Sequence, residues 1–148
     1  SGGFTCASKN VIDLLKQRSR PYLFSNALSP SIVSASLKAL DIVETDYERR
    51  ERINENTKYF RSKMKNLGYT ILGDEHPITP VMLGDAKIAQ EMSKRLLEKG
   101  LYAIGFSFPV VPEGKARIRL QVNSEHKKEE LDKAVRIFEE VGKELGIL

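Results

Sequence analysis

Arg117 and Arg119 lie one residue apart in the run Ala116-Arg117-Ile118-Arg119-Leu120-Gln121-Val122. Apolar and polar residues alternate there, so the spacing predicts a half-buried strand with Arg117, Arg119 and Gln121 on one face. A guanidinium is always charged and presents a planar fork of donors that matches a carboxylate or a phosphate. The turn Pro112-Glu113-Gly114-Lys115 before it has proline and glycine where a reversal needs them. Two readings stand side by side: a pre-aimed anion fork, or two arginines on a solvated edge, where arginine is mostly found.

The remaining reactive side chains carry less. His76 precedes Pro77 in a turn, and His126 precedes a helix that it helps to start. Cys6 reads as a small buried hydrophobe in a strand, and Lys115 as a solvated turn residue. Ser25-Asn26 follows an apolar run and precedes a proline-initiated helix, so its donors suit either an anion or local turn capping. No Ser-His-Asp arrangement can be assembled by spacing. One cysteine and two histidines exclude a disulfide framework and a Cys/His metal cage, so no metal is expected.

The 148 residues suffice for one ordinary domain, or a small domain with a piece of another. Apolar residues make up 41% and charged residues 30%, a globular profile. The net charge of +4 comes from 24 basic and 20 acidic residues that are interleaved, as in Asp46-Tyr47-Glu48-Arg49-Arg50-Glu51-Arg52. Interleaving marks solvated helix faces and argues against a nucleic-acid footprint. No run is long enough for a transmembrane helix, and no signal peptide is recognisable; a cytoplasmic location is the default expectation.

The elements that must hold the arginines follow from periodicity. Residues 1–7 read as a glycine turn entering a short strand without a local partner. Ser8 is placed to cap a helix with the stripe Val11, Ile12, Leu14 and Leu15. Residues 22–26 read as extended. Ser29-Pro30 starts a second helix over residues 30–43. Thr45 and Glu48 fit a capping box ahead of a long amphipathic helix that closes at Gly68. Residues 69–73 and 78–83 read as strands, with Pro80 marking an edge or a bulge. Asp85 caps a helix ending at Gly100, residues 101–106 form a strand, and a last helix carries Leu131, Val135, Phe138 and Val141. The expected fold class is α+β: a small, mostly antiparallel sheet with helices packed on one face. Residues 1–44 are expected to be the end of a different, larger domain, and residues 45–148 a small C-terminal domain.

Four stretches bear a family likeness: Ser1-Gly2-Gly3-Phe4, Arg20-Pro21-Tyr22-Leu23-Phe24-Ser25-Asn26, Pro80-Val81-Met82-Leu83-Gly84-Asp85, and Pro109-Val110-Val111-Pro112 continuing to Ala116-Arg117-Ile118-Arg119. Together they resemble the C-terminal part of the glycine C-acetyltransferases, or 2-amino-3-ketobutyrate coenzyme A ligases. These are α-oxoamine synthases among the fold-type-I pyridoxal-phosphate enzymes. The resemblance spans the whole chain. It implies the small domain of such a transferase, preceded by the last strand and helices of its large cofactor domain. It implies an acyltransferase of threonine catabolism that condenses glycine with acetyl-coenzyme A to 2-amino-3-oxobutyrate. There pyridoxal phosphate withdraws electrons from the glycine α-carbon. It implies a homodimer. Arg119 matches the arginine that grips the amino-acid carboxylate, and Ser25 falls in the segment that reaches the cofactor phosphate of the neighbouring subunit. The Schiff-base lysine of the family lies before the motif that here begins at Ser1. No lysine in this chain matches it, so no catalytic residue is expected here and the chain alone is expected to be inactive. Alternatives are an α-oxoamine synthase of the 8-amino-7-oxononanoate or aminolevulinate type, and a stand-alone anion-binding interaction module.

Overall fold

The computed structural model describes residues 3–24 and 27–148, and it divides into two compact units between Tyr47 and Glu48. The first unit contains α1 (Lys9–Arg18), the single-turn α2 (Arg20–Leu23) and α3 (Pro30–Thr45). Neither α1 nor α3 buries a residue; Val11, Leu14, Leu37 and Val43 stand exposed. Residues 3–8 join no ladder, since a lone segment has no neighbour to complete its hydrogen bonds. Cys6 is therefore exposed and outside any strand, against the sequence expectation. Residues 20–23 form α2, which takes up the start of the piece expected to be extended over residues 22–26, with Pro21 in its first turn, where a missing N–H costs nothing.

Helix starts differ from expectation in chemistry more than in place. Ser8 and Ser29 stand at the N-caps of α1 and α3, yet neither side chain makes a capping bond. Ser29 and Ser31 hydroxyls pair with each other at 3.0 Å. Thr45 does not open the next helix. It ends α3, donating its hydroxyl to the Asp41 carbonyl at 2.7 Å.

The second unit runs α4 (Tyr47–Asn66), β1 (Ile78–Gly84), α5 (Ala86–Glu98), β2 (Ile104–Phe106), β3 (Ala116–Gln121) and α6 (Lys128–Glu144). The sheet order is β1-β3-β2, and both pairings are antiparallel. Ala116, Ile118 and Leu120 of β3, with Val81 of β1, point into a core closed by Phe60, Met64, Met92, Leu96, Phe138 and Val141. Helices thus cover one face of the sheet, as the fold class α+β requires. Asp85 caps α5 by accepting from the Lys87 and Ile88 backbone N–H groups. Tyr69 donates its buried hydroxyl to the Phe138 carbonyl at 2.7 Å, and the two rings meet edge to face. Burial pushes the Tyr69 phenol well above its ordinary range.

Residues 69–73 shrink from the expected strand to a single bridge, Ile71 with Val81. Its bonds are Leu72 N–H to the Pro80 carbonyl and Met82 N–H to the Thr70 carbonyl. The backbone edge of Pro80 therefore points away from β3, toward residues 70–72, and its missing N–H takes nothing from the β1–β3 ladder. The bulge falls later, between Met82 and Gly84. On the helix side, Arg95 bridges Glu91 and Glu144, and Lys99 bridges Glu140 and Glu144, tying α5 to α6. Lys99 and Arg95 hold the Glu144 carboxyl below its usual range.

Arg61 of α4 is buried at 3% exposure and is the anchor of the 72–78 turn. Its guanidinium donates to the carbonyls of Leu72, Gly73, His76 and Ile78 through five hydrogen bonds of 2.6–3.2 Å. Desolvation lowers its pKa, and the nearby Asp74 charge opposes that shift. Replacing Arg61 with Met leaves several carbonyls without partners and is expected to cost about 2–4 kcal/mol in urea unfolding. Arg61→Lys should recover only part, since an ammonium lacks the planar fork that reaches four carbonyls at once.

Candidate functional site

Alternation in β3 sends Ala116, Ile118 and Leu120 inward and leaves Arg117, Arg119 and Gln121 on the face that no helix of this unit covers. Register places Arg119 between Pro80 of β1 and Ile104 of β2, and Arg117 between Met82 and Phe106. The expected shared face is therefore present, and the two arginines differ within it. Arg117 is half-buried, and its Nε is enclosed with no hydrogen-bond acceptor among the described residues. Arg119 is exposed, and its guanidinium carbon lies 4.4 Å from the centre of the Phe106 ring. That is cation–π distance. No ion pair or donated hydrogen bond of the Arg119 side chain is found among the described residues, so its fork of donors is free for an anion.

A cavity of about 370 Å³ opens beside Arg119, lined among others by Tyr102, Ile104, Phe106, Gln121 and His126. Its wall is mostly apolar, with the guanidinium as its charged group, which suits a small anionic ligand better than a large polar one. His126 contributes as a fixed part of the wall. Its Nδ1 accepts from the Asn123 backbone N–H, and its carbonyl accepts from Asn56 of α4 at 2.8 Å. Asn56 also reaches the Asn123 carbonyl, so a buried amide fixes the turn between β3 and α6.

His76 likewise does structural work. Its carbonyl takes two Arg61 bonds and its Nδ1 accepts from the Ile78 N–H. Lys115 is exposed on its turn, as expected. Ser25 and Asn26 lie outside the described residues. No cluster of His, Cys, Asp or Glu fit to hold a metal occurs among the described residues. No helix among them is long and apolar enough to cross a membrane.

Sequence reasoning missed Gly105. This residue faces α5, and a Cβ there would meet the Ala89 carbonyl oxygen at 2.8 Å. Ser93 of α5 adds a hydrogen bond to the Ala103 carbonyl at 2.6 Å. The two contacts seat β2, and with it Phe106, at a fixed depth. The available signal was a glycine inside a strand pattern, which marks close backbone approach.

This architecture is that of pyridoxal-phosphate-dependent transferases. A solved structure of a serine palmitoyltransferase variant from S. paucimobilis, with a bound PLP–myriocin aldimine, superposes with a TM-score of 0.85 at 27% identity. The match covers 92% of this chain and 35% of that one. The chain belongs to the aminotransferase class I and II family, whose pattern matches residues 1–138. It is 49% identical over 148 residues to the 2-amino-3-ketobutyrate coenzyme A ligase of Escherichia coli (strain K12). It is 49% identical over 147 residues to the 8-amino-7-oxononanoate synthase/2-amino-3-ketobutyrate coenzyme A ligase of Thermus thermophilus. The chain spans 37% of the length of each of these two relatives.

Gly105→Ala is expected to force β2 away from α5 and to destabilise the protein by about 1–3 kcal/mol, read as a lower urea midpoint. An unchanged midpoint would mean that β2 does not pack on α5 this closely.

Proposed function

We propose that the chain is the C-terminal part of a pyridoxal-phosphate-dependent acyltransferase that condenses glycine with acetyl-coenzyme A to 2-amino-3-oxobutyrate. The observation that carries this reading is the unpaired Arg119 guanidinium on the open sheet face, in a chain about half identical throughout to a 2-amino-3-ketobutyrate coenzyme A ligase. Residues 1–44 are read as the end of the large cofactor-binding domain and residues 45–148 as the small domain. The apolar side chains exposed on α1 and α3, such as Leu14 and Val43, support a partner surface for that first unit. The assembly is read as a homodimer of the cytoplasm, acting in threonine catabolism.

No lysine of the chain is assigned to the cofactor. Ser25 remains the proposed phosphate contact across the dimer. When bound, pyridoxal phosphate supplies the electron withdrawal that makes the glycine α-carbon nucleophilic. The chain's own share is to bind and orient. Arg119 takes the glycine carboxylate in a two-point, charge-assisted grip, and the apolar wall beside it limits competition from water. Holding the carboxylate fixes the α-carbon, so the bonds to be broken and formed keep a set direction.

A second reading has a specific observation behind it. The Thermus relative is named for both activities, so an 8-amino-7-oxononanoate-type acyl donor fits the same carboxylate grip. The stand-alone module is disfavoured, since the family match runs through 138 residues that include both units.

In the full-length enzyme, Arg119→Ala is expected to lower kcat/KM for glycine by about 30- to 1,000-fold, or about 2–4 kcal/mol of transition-state binding. Most of the loss should appear in the glycine KM at saturating acetyl-coenzyme A. Arg119→Lys should recover part, and Arg117→Ala should be mild. A crippled Arg117→Ala beside a near-normal Arg119→Ala would reverse the assignment.

A further inference from the structure

We propose that Phe106 is a positioning residue for the substrate carboxylate, its ring setting the plane and reach of the Arg119 guanidinium. The inference rests on the assignment of Arg119 as the carboxylate grip. It starts from what surrounds that side chain. Arg119's direct cross-strand neighbours are Pro80 and Ile104, neither of which offers a side-chain acceptor. Among the described residues, the Phe106 ring is the contact that orients the guanidinium, at 4.4 Å. Phe106 stands opposite Arg117 and therefore diagonal to Arg119, a distance that aromatic and long side chains bridge across a sheet.

The ring is itself held. Phe106 follows Gly105, whose backbone lies against the Ala89 carbonyl, and the strand is tied to α5 through Ser93. Phe106 is half-buried, whereas the arginine it carries is exposed. A long, solvated arginine must give up rotamer freedom to hold a carboxylate at two points. A ring that already supports the guanidinium reduces that loss before the ligand arrives. The ring acts through Arg119, so its effect should fall on glycine affinity and leave the chemical step alone.

The test compares Phe106→Leu, Phe106→Tyr and Arg119→Ala in the full-length holoenzyme, with glycine and acetyl-coenzyme A varied separately. Phe106→Leu should raise the glycine KM about 3- to 30-fold while kcat and the acetyl-coenzyme A KM stay within about twofold. Phe106→Tyr keeps the ring face and should restore the glycine KM. Phe106→Met fills similar volume without a ring and repeats the test should Phe106→Leu fail to fold. An unchanged glycine KM in Phe106→Leu or Phe106→Met, beside a raised one in Arg119→Ala, overturns the positioning role alone. An unchanged glycine KM in Arg119→Ala overturns the carboxylate assignment and this inference with it. A fall in kcat and a rise in both KM values together, with a lower Tm, marks plain structural damage and also overturns it.

Discussion

A buried guanidinium, Arg61, sets the frame on which the open sheet face depends. It gathers four backbone carbonyls of the 72–78 turn, where the Ile78 N–H also donates to His76 Nδ1. Burying a charge is costly unless hydrogen bonds replace its hydration, and five of them do so here. The turn delivers β1 at Ile78, and β1 fixes β3 residue by residue from Gln121 to Ala116. Because side chains alternate strictly, a slip of one residue would send Arg117 and Arg119 into the core. An α4 side chain far along the sequence from β3 thus protects the register that exposes Arg119.

On the other side of β3, the constraint is one of approach. Gly105 has no Cβ, so β2 comes close against α5 and the Phe106 ring arrives under Arg119. The two edges of the small sheet therefore do different jobs. The β1 edge secures register, and the β2 edge shapes the surroundings of a free cation. The helices take all the core packing on one face, which leaves the opposite face available to a ligand. Arg117 shares that face with a half-buried side chain and an enclosed Nε, so fewer of its donors are open than those of Arg119.

The legible parts of the fold were those with period. Alternation in residues 116–122 predicted β3 and the shared face of its arginines, and Asp85 predicted the start of α5. What failed depended on partners distant in sequence. Residues 69–73 have strand-like composition, but only Ile71 finds a bridge, because Arg61 pulls the following carbonyls into the turn. Arg61 itself reads as one more charge on an interleaved helix. The signal was its place on the buried row Thr57, Phe60, Arg61 and Met64, at helical spacing. Thr45 looked like a cap because the motif was right; α3 ran on to claim it. The choice of Arg119 over Arg117 was not in the alternation at all. The family resemblance makes that choice; in the structure Arg119 is the more exposed of the two and lies over the Phe106 ring.

The most direct measurement is a crystal structure of the full-length enzyme with glycine bound. The two carboxylate oxygens of glycine are expected within about 3 Å of two Arg119 nitrogens, the guanidinium still lying on the Phe106 ring. A glycine carboxylate held by other groups, with Arg119 turned to solvent or engaged elsewhere, would contradict it.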